Sequence, residues 1–261
     1  MLGKQVRLSR ITSNGKMLCI PMDHGISIGP VKGLDTISDT IQQVQDGGAT
    51  TFLAHKGILK SLKWVPEIGI IMHVNGSTDI GLAPNRKMMV ANVREAVKLG
   101  ADAVSIHINI GGKEEPEMLN DLGYIAEEAD EFEIPLIAMM YPRGEGIDDP
   151  YDADTVAHAA RIGAELGADV VKTLYTGSAD SFKKVVNSCP VPVVIAGGSK
   201  ANNDRDLLQL AKDVMSSGAM GVTFGRNVFQ HVTPRSIVRG LSKVVLDGYS
   251  VDDALEASIN G

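Results

Sequence analysis

The stretch Gly167–Thr173, GADVVKT, leads from the end of a predicted helix into a short apolar run. A similar joint, Gly-Ala-Asp-Ala-Val, begins at Gly100, and related joints begin at Gly48 and Gly218. These four glycines are 52, 67 and 51 residues apart, which is close to two strand-helix units per interval. Glycine can adopt the left-handed conformation that ends a helix, and the small residue after it lets the chain turn into a strand. The sequence therefore predicts repeated β-strand and α-helix units.

Eight short runs, most of them apolar throughout, are the predicted strands: Met17–Met22, Thr51–Ala54, Ile68–Val74, Ala103–Ile108, Leu136–Met140, Val170–Thr173, Val193–Ala196 and Gly221–Phe224. Helical periodicity is found in the stretches Val90–Leu99, Glu117–Phe132, Thr155–Leu166, Ser181–Asn187, Leu207–Ser217, Ile237–Leu246 and Val251–Ile259. Strands that helices cover on both faces are apolar throughout.

The number of strands favours a particular α/β architecture. Eight strands alternating with helices in 261 residues predict a closed (β/α)8 TIM barrel, with residues 1–261 forming a single domain. A flavodoxin-like open sheet is the alternative, but it needs only about five or six strands in this length. The short C-terminal helix near residues 251–259 has an apolar stripe, which must be buried on the barrel or on a neighbouring subunit.

The composition excludes several classes of protein. The chain is 44% apolar and 22% charged, as is typical of a folded globular protein. Its net charge of −7 argues against nucleic acid as a partner, because that needs a basic surface. We also expect no membrane association and a cytoplasmic protein, since no run approaches ~18 apolar residues and the N-terminal residues lack the apolar core of a signal peptide. Cys19 and Cys189 lie in no metal or redox motif, and we expect both to be core thiols.

Three candidate catalytic residues follow or end predicted strands, where the working residues of a barrel lie. Lys172 lies among apolar residues in the sixth run, where burial would lower the pKa of its ammonium group and leave a nucleophilic amine. Asp23 follows the first run and Tyr141 the fifth, so an acid and a base could reach the same mouth. Each residue also has a structural interpretation: Lys172 as a lysine that reaches solvent, Asp23 in an Asx turn, and Tyr141 as a rim aromatic.

Glycines follow the seventh and eighth runs, at Gly197, Gly198 and Gly225. Backbone N–H groups of glycines can approach an anion, and barrels frequently hold a phosphate at these two strand ends. Arg226, and Lys200 further along the first of the two loops, would add positive charge. The sequence therefore predicts a phosphate-binding site here, with simple tight turns as the alternative.

Three histidines, His24, His73 and His107, also lie near the predicted mouth. They lack the spacing of a metal-binding motif, so we expect no metal site. His73 with Asn75, and His107 with Asn109, instead have the two-residue spacing of side chains on one face of a strand. We expect these pairs to make hydrogen bonds inside the barrel.

Nine motifs carry a resemblance to a known family: Met22-Asp23-His24-Gly25, Gly29-Pro30, Lys32-Gly33, His55-Lys56-Gly57, Ala103–His107, Ala138–Gly144, Val171–Gly177, Ala196-Gly197-Gly198 and Gly225–Gln230. Together they resemble the archaeal-type class I aldolase family. The resemblance extends in order from about residue 2 to about residue 257, without large gaps. No single motif would be sufficient for this identification.

The resemblance implies a barrel in which Lys172 forms a Schiff base, Tyr141 donates a proton and Asp23 accepts one. It implies substrate contacts from Asp23, His24, Gly25, Ile26, Ser27, Tyr141, Pro142, Arg143, Gly197, Gly198, Gly225 and Arg226. A protonated imine is an electron sink, so the neighbouring carbon–carbon bond can break to an enamine. Tyr141 would be a suitable acid if Arg143 or the iminium lowered its pKa.

The resemblance also implies a metal-independent transaldol-type reaction without a cofactor, in the archaeal route to 3-dehydroquinate and the aromatic amino acids. Its substrates would be a phosphorylated ketose, 6-deoxy-5-ketofructose 1-phosphate, and L-aspartate semialdehyde. The products would be an amino-heptulosonate and hydroxypyruvaldehyde phosphate. Because relatives assemble into rings or decamers, the resemblance further implies a homo-oligomer.

Two other functions stay open. A fructose-1,6-bisphosphate aldolase of the same archaeal type shares the Asp-His-Gly, Tyr and Lys pattern. In that enzyme we would expect Phe before the Asp-His-Gly corner and Glu-His after it, where this chain has Met22 and Ile26-Ser27. The other alternative is a barrel that only binds a phosphorylated ligand, which would not need the complete set of Lys172, Tyr141 and Asp23.

Overall fold

The strands of the computed structural model, which describes residues 2–198 and 201–259, are β1 (Met17–Pro21), β2 (Thr51–His55), β3 (Gly69–His73), β4 (Asn75–Gly76), β5 (Met88–Met89), β6 (Ala103–Ile110), β7 (Leu136–Pro142), β8 (Val170–Thr173), β9 (Val193–Ala196) and β10 (Gly221–Thr223). Eight of them form a closed parallel barrel in the order β1-β10-β9-β8-β7-β6-β3-β2. The remaining two, β4 and β5, form a small antiparallel hairpin. The predicted (β/α)8 TIM barrel is therefore confirmed.

The helices are α1 (Leu2–Ile11), α2 (Gly25–Ile28), α3 (Ile37–Asp46), α4 (Lys56–Ser61), α5 (Val93–Lys98), α6 (Glu115–Glu131), α7 (Ala153–Glu165), α8 (Ala179–Ser188), α9 (Asp204–Ser216), α10 (Arg226–Phe229), α11 (Pro234–Val245) and α12 (Val251–Ile259). The C-terminal helix α12 packs on α9 and α11, so Val251 and Ala254 of its apolar stripe are buried within this chain, whereas Ile259 at its end is exposed. Within the part of the chain that the structure describes, no helix is both long and apolar enough to cross a membrane.

The glycine joints have the predicted geometry, and their aspartates explain why the motif recurs. Gly100 and Gly167 have φ angles of 78° and 96°, in the left-handed region. The Asp102 carboxylate accepts a hydrogen bond of 3.0 Å from the backbone N–H of Ile70, and the Asp169 carboxylate accepts one of 2.8 Å from Leu136. Each aspartate therefore holds an N–H group at the start of the neighbouring barrel strand in place.

The amino end of the barrel is closed by α1, which is absent from the sequence-based prediction. Ile11 is fully buried and packs with the side chains that fill the barrel interior, including Met17 and Cys19. Lys4 forms a salt bridge with Asp169, so α1 is also tied to one of the joint aspartates. Because this end is filled, the open space lies at the carboxyl ends of the strands.

Both cysteines are buried free thiols, as predicted. Cys19 lies in the barrel interior, where burial raises the pKa of its thiol to about 12. Cys189 lies in the outer core between barrel and helices. A thiol with a raised pKa is unreactive at neutral pH, because the thiolate is the nucleophile.

Closure of the barrel depends on Gly221, where no side chain would fit. Replacing this glycine by alanine, which adds one methyl group, should therefore destabilise the fold. Gly221 of β10 pairs with Met17 of β1, and a Cβ atom at Gly221 would lie 1.9 Å from the Met17 carbonyl oxygen. We predict that Gly221→Ala lowers the free energy of unfolding by at least ~1–3 kcal/mol, the usual cost of overpacking. Urea denaturation followed by circular dichroism measures this.

Gly57→Ala in α4 is the matched control, because no atom lies within 4 Å of a Cβ added there. It should leave stability unchanged or slightly higher, since alanine favours a helix over glycine. Equal stability of the Gly221→Ala protein and the unsubstituted protein would contradict the closure described here.

Candidate active site

A cavity of about 620 Å³ opens at the carboxyl end of the barrel. The predicted residues that line it are Asp23, His24, Ile26, Ser27, Tyr141, Arg143, Lys172, Gly197, Gly198, Gly225 and Arg226. Two other predicted contacts lie elsewhere. Gly25 lines a neighbouring apolar groove, and Pro142 pairs with Ile110 in the barrel wall. Lys200 lies outside the described residues.

Lys172 is 6% exposed and lies on β8, paired with Met139 of β7 and Val194 of β9. The expected lowering of its pKa is wrong for the ligand-free cavity. Burial does lower the pKa of the ammonium group, but its interaction with Tyr141 and the negative charge of the Asp23 carboxylate raise it more, so the pKa lies above its ordinary value. Lys172 is thus protonated at neutral pH and must lose a proton before it can act as a nucleophile.

The Asp23 carboxylate lies in the cavity and is not the Asx turn that the sequence left open. Its Oδ2 atom is 3.9 Å from Nε2 of His73, and its Oδ1 atom is 3.4 Å from Nδ1 of His24. Burial raises the pKa of this carboxyl group, but His24 and the positive charge of Lys172 hold it well below its usual range. Oδ1 is buried without a hydrogen-bond partner among the described residues, so this oxygen is available to accept a proton or hydrogen bond.

Tyr141 is the last residue but one of β7, which is four strands away from β1 in the barrel, and so it faces Asp23 across the mouth. Its hydroxyl group interacts directly with Lys172. The ring lies edge-on to His107, with 4.8 Å between the ring centres, and the Arg143 guanidinium is 5.9 Å from the ring centre. Burial raises the pKa of Tyr141 more than Lys172 and Arg143 lower it, so the phenol is protonated.

The paired histidines and asparagines make the predicted hydrogen bonds. Nδ1 of His73 lies 2.8 Å from the Ser105 hydroxyl, and Nε2 of His107 lies 2.8 Å from Oδ1 of Asn109. The Asn75 amide donates to the His107 carbonyl at 2.9 Å and accepts from the His107 N–H. Burial lowers the pKa of His73 to about 3, so its ring is neutral. Within residues 2–198 and 201–259, no group of three or more His, Cys, Asp or Glu side chains could hold a metal ion.

The glycines after β9 and β10 form a corner beside the cavity. Gly198 has a φ angle of 60°, and its carbonyl oxygen accepts a hydrogen bond of 3.0 Å from Nη2 of Arg226. A Cβ atom at Gly225 would lie 2.7 Å from the His24 ring, so only glycine fits there. Backbone N–H groups and a guanidinium in one corner are suited to an anion such as phosphate.

Several cavity residues are absent from the sequence-based prediction. They include His55, at the end of β2, and Ser77, Asp79 and Lys87, on or beside the loop between β4 and β5. Lys87 follows Arg86 in a polar stretch, which is typical of an exposed loop. It is nevertheless only 7% exposed, and nothing in its sequence neighbourhood indicates burial.

The site combines a buried amine, a carboxylate and a phenol around one cavity. An amine that loses its proton can attack a carbonyl carbon, and the phenol and carboxylate can move the protons that imine chemistry requires. The geometry therefore suits Schiff-base catalysis.

The chain is similar to known aldolases over most of its length. The family model described as DeoC/LacD family aldolase matches residues 17–231. The 2-amino-3,7-dideoxy-D-threo-hept-6-ulosonate synthase of Halobacterium salinarum is 44% identical, over 97% of this chain and 95% of the relative. A synthase of the same kind from Archaeoglobus fulgidus is 43% identical, over 98% of this chain and 96% of the relative.

A solved structure of an archaeal fructose-1,6-bisphosphate aldolase is similar, with a TM-score of 0.86 and 32% identity. The match covers 92% of this chain and 98% of that one. In that structure the catalytic lysine is covalently bound to the carbinolamine intermediate of the substrate.

The neutral His73 predicts how stability depends on pH. The folded-state pKa is about 3, below the ~6.5 of an unfolded histidine, so the unfolded chain binds the proton first as the pH falls. The stabilisation is complete above pH ~6.5 and is lost progressively toward pH 3, at up to ~1.4 kcal/mol per pH unit. We predict that His73→Asn flattens the plot of unfolding free energy against pH by about one proton between pH 4 and 6.

The control is His158→Asn, on the exposed face of α7, which should keep the slope of the unsubstituted protein. Urea titrations at each pH give the free energies. A slope that His73→Asn does not change would show that this ring takes up its proton in the folded state.

Proposed function

The chain belongs to the DeoC/LacD family of aldolases, and we propose that it catalyses the transfer reaction that makes 2-amino-3,7-dideoxy-D-threo-hept-6-ulosonate, through a Schiff base on Lys172. The single observation that carries the mechanism is the position of Lys172, buried at the cavity floor in direct interaction with Tyr141 and beside Asp23. The donor is 6-deoxy-5-ketofructose 1-phosphate, and the acceptor is L-aspartate semialdehyde.

In the first step, Lys172 must become neutral. Its proton moves to a base, and Asp23 is the neighbouring carboxylate. The transfer is uphill because the pKa of Lys172 is high and that of Asp23 is low, so only a small fraction of the amine is free at neutral pH. The amine nitrogen then attacks C5 of the ketose. Tyr141 donates a proton to the resulting hydroxyl group, which leaves as water and gives the iminium ion. The proton that Asp23 took from Lys172 then passes to the Tyr141 phenolate, so that Asp23 is again a carboxylate and Tyr141 again a phenol.

In the second step, the carbon–carbon bond between C3 and C4 breaks. Its electron pair moves toward the iminium nitrogen and leaves an enamine, while the C3 hydroxyl gives its proton to Asp23. C3 becomes the aldehyde carbon of hydroxypyruvaldehyde phosphate, which departs with the phosphate. No oxidant or reductant is needed, because the electrons stay within the two fragments.

In the third step, the enamine carbon attacks the aldehyde carbon of aspartate semialdehyde. The new alkoxide takes back the proton that Asp23 holds, and the iminium re-forms. Water adds to the iminium carbon, and the carbon–nitrogen bond then breaks to release the ketone product and free Lys172. Asp23 and Tyr141 thus return to their starting states after each turnover.

The remaining cavity residues orient the phosphorylated ketose. We propose contacts from the glycine corner of Gly197, Gly198, Gly225 and Arg226, and from His24, Ile26, Ser27 and Arg143. The Arg226 guanidinium is already fixed by its hydrogen bond to Gly198, so little side-chain freedom is lost when an anion binds.

The same catalytic groups could instead cleave fructose 1,6-bisphosphate. The structural similarity to an archaeal fructose-1,6-bisphosphate aldolase supports this alternative. The residues on both sides of the Asp-His-Gly corner, Met22 and Ile26-Ser27, differ from those we expect in that enzyme. The assembly into a homo-oligomer, such as a ring or a decamer, remains a prediction. The cytoplasmic location also remains a prediction.

Trapping the imine tests the assignment of Lys172. With the ketose phosphate, sodium borohydride should reduce the imine to a stable amine, inactivate the enzyme and add mass to the peptide that contains Lys172. Because the amine fraction rises tenfold per pH unit below the pKa, trapping should become faster from pH 7 to 9.

Lys172→Met should abolish trapping, and Lys56→Met, whose lysine pairs with Glu95 outside the cavity, should not. Mass on Lys56, Lys87 or Lys200 in place of Lys172 would show that another amine is the nucleophile.

Substitutions of Tyr141 and of Asp23 should have different kinetic effects, because the two side chains act at different steps. Tyr141→Phe removes the proton donor for water loss, so both turnover and the yield of trapped imine should fall by ~10²–10⁴-fold. Asp23→Asn blocks the later bond cleavage, so it should reduce turnover strongly while still accumulating an imine that borohydride traps. Single-turnover kinetics with each variant measure both quantities. Near-normal turnover of Asp23→Asn would contradict its role as proton acceptor.

A further inference from the structure

We propose that Lys87, Arg143 and Asp79 form a subsite for the amino acid end of the acceptor aldehyde, with the two cations binding its carboxylate and Asp79 binding its α-ammonium group. This inference rests on the proposed function, because it assigns the residues that recognise the second substrate. None of the three residues has a place in the imine chemistry. Arg143 contacts first the ketose phosphate and then the acceptor, because the phosphorylated fragment leaves before the acceptor binds.

Lys87 lies in the cavity wall, and one of its N–H donors makes no hydrogen bond to a described residue. Its ammonium group donates hydrogen bonds of 2.6 Å to the Ser77 hydroxyl and 2.9 Å to the Pro84 carbonyl. An ammonium group has three N–H donors, so one is left for a ligand. The side chain is 7% exposed and lines the cavity. A buried cation with an unused donor and no salt bridge to a described residue is suited to a carboxylate.

The loop that carries Lys87 is fixed to the barrel on two sides. The Asn109 amide donates a hydrogen bond of 2.7 Å to the Asn85 carbonyl, and the Ser27 hydroxyl donates one of 3.0 Å to the Ser77 carbonyl. The ends of the loop pair as β4 and β5. Lys87 is therefore held in position before any ligand binds, which lowers the entropic cost of binding.

Arg143 makes the same part of the mouth more positive. Burial and the positive charge of Arg143 lower the pKa of Lys87, and both cations also act on His107, whose pKa burial holds well below its ordinary value. Two cations close enough to repel each other attract an anion, because its charge relieves the repulsion. This end of the cavity is thus an anion site in addition to the glycine corner.

Asp79 decides which anion fits. The Asp79 carboxylate lines the same cavity and has no salt bridge among the described residues. The Asp79 backbone N–H donates a hydrogen bond of 3.1 Å to the Ser27 carbonyl. The charge of the carboxylate acts on Lys87. A dianionic phosphate would be repelled by this carboxylate, whereas a zwitterionic amino acid end matches two cations and one anion. The charge pattern therefore favours the amino aldehyde.

The glycine corner is the competing place for the acceptor carboxylate. It follows β9 and β10, whereas the loop that carries Lys87 and Asp79 lies between β3 and β6. These strands are four away from β9 and β10 in the barrel order, so Lys87 and Asp79 lie on the opposite side of the mouth from the glycine corner. Bond formation fixes only the aldehyde carbon, and rotation about the forming bond lets the tail point to either side. The glycine corner has no carboxylate among the residues described in it, so it offers nothing for the ammonium group.

Steady-state kinetics with two aldehydes test the subsite. Aspartate semialdehyde carries both charged groups, and succinate semialdehyde carries the carboxylate alone. At saturating ketose phosphate, Lys87→Met should raise KM for both aldehydes by about 10- to 100-fold, the usual effect of losing one charged hydrogen bond. Asp79→Asn should raise KM for aspartate semialdehyde only. Lys183→Met, at an exposed position on α8, is the control and should change neither value.

Borohydride trapping of Lys172 by the ketose phosphate shows whether each variant is folded, and it should stay within about twofold of the unsubstituted enzyme. If Lys87→Met is not trapped, the variant is misfolded and Asp79→Asn becomes the test, because Asp79 is exposed and its replacement should not disturb folding. The ratio of its KM for aspartate semialdehyde to its KM for succinate semialdehyde then decides the proposal. An unchanged KM in Lys87→Met, or a rise in acceptor KM in Arg226→Ala alone, would overturn the subsite. Failure of the unsubstituted enzyme to use aspartate semialdehyde at all, while Lys172 is still trapped, would overturn the proposed function.

Discussion

A buried ammonium group needs nearby negative charge, and the Lys172–Asp23 arrangement meets this need at the centre of the barrel mouth. Taking both charges out of water is costly, and removing one partner of such a pair typically costs ~3–5 kcal/mol. The surrounding groups are arranged accordingly. His73 is kept neutral by burial, so it adds no second positive charge beside Lys172, and its Nε2 atom lies near Asp23.

The barrel makes this arrangement possible because it fixes where each strand ends. The joint aspartates Asp102 and Asp169 accept hydrogen bonds from N–H groups at the start of neighbouring strands, and Gly221 lets β10 approach β1 to close the ring. With the amino end filled around Ile11, the polar side chains that follow the strands meet in one cavity at the other end. This cavity is shielded from bulk water except at its mouth.

Much of the fold and part of the site could be predicted from the sequence. Apolar strands and left-handed glycines are local features, so the eight barrel strands and the positions of Lys172, Tyr141 and Asp23 after or within them could be found without coordinates. The sign of the Lys172 pKa shift could not, because it depends on whether burial or the charge of Asp23 dominates at close range. Lys87 and Asp79 could not be found either, since a hairpin outside the barrel brings them to the cavity.

The most direct test of the account is identification of the products from paired incubations. The enzyme is given 6-deoxy-5-ketofructose 1-phosphate with L-aspartate semialdehyde in one sample and fructose 1,6-bisphosphate in the other, and products are identified by mass spectrometry and NMR. The account predicts the seven-carbon amino-keto acid and hydroxypyruvaldehyde phosphate in the first sample, with Lys172→Met inactive. Triose phosphates from the second sample, together with no seven-carbon product from the first, would contradict it.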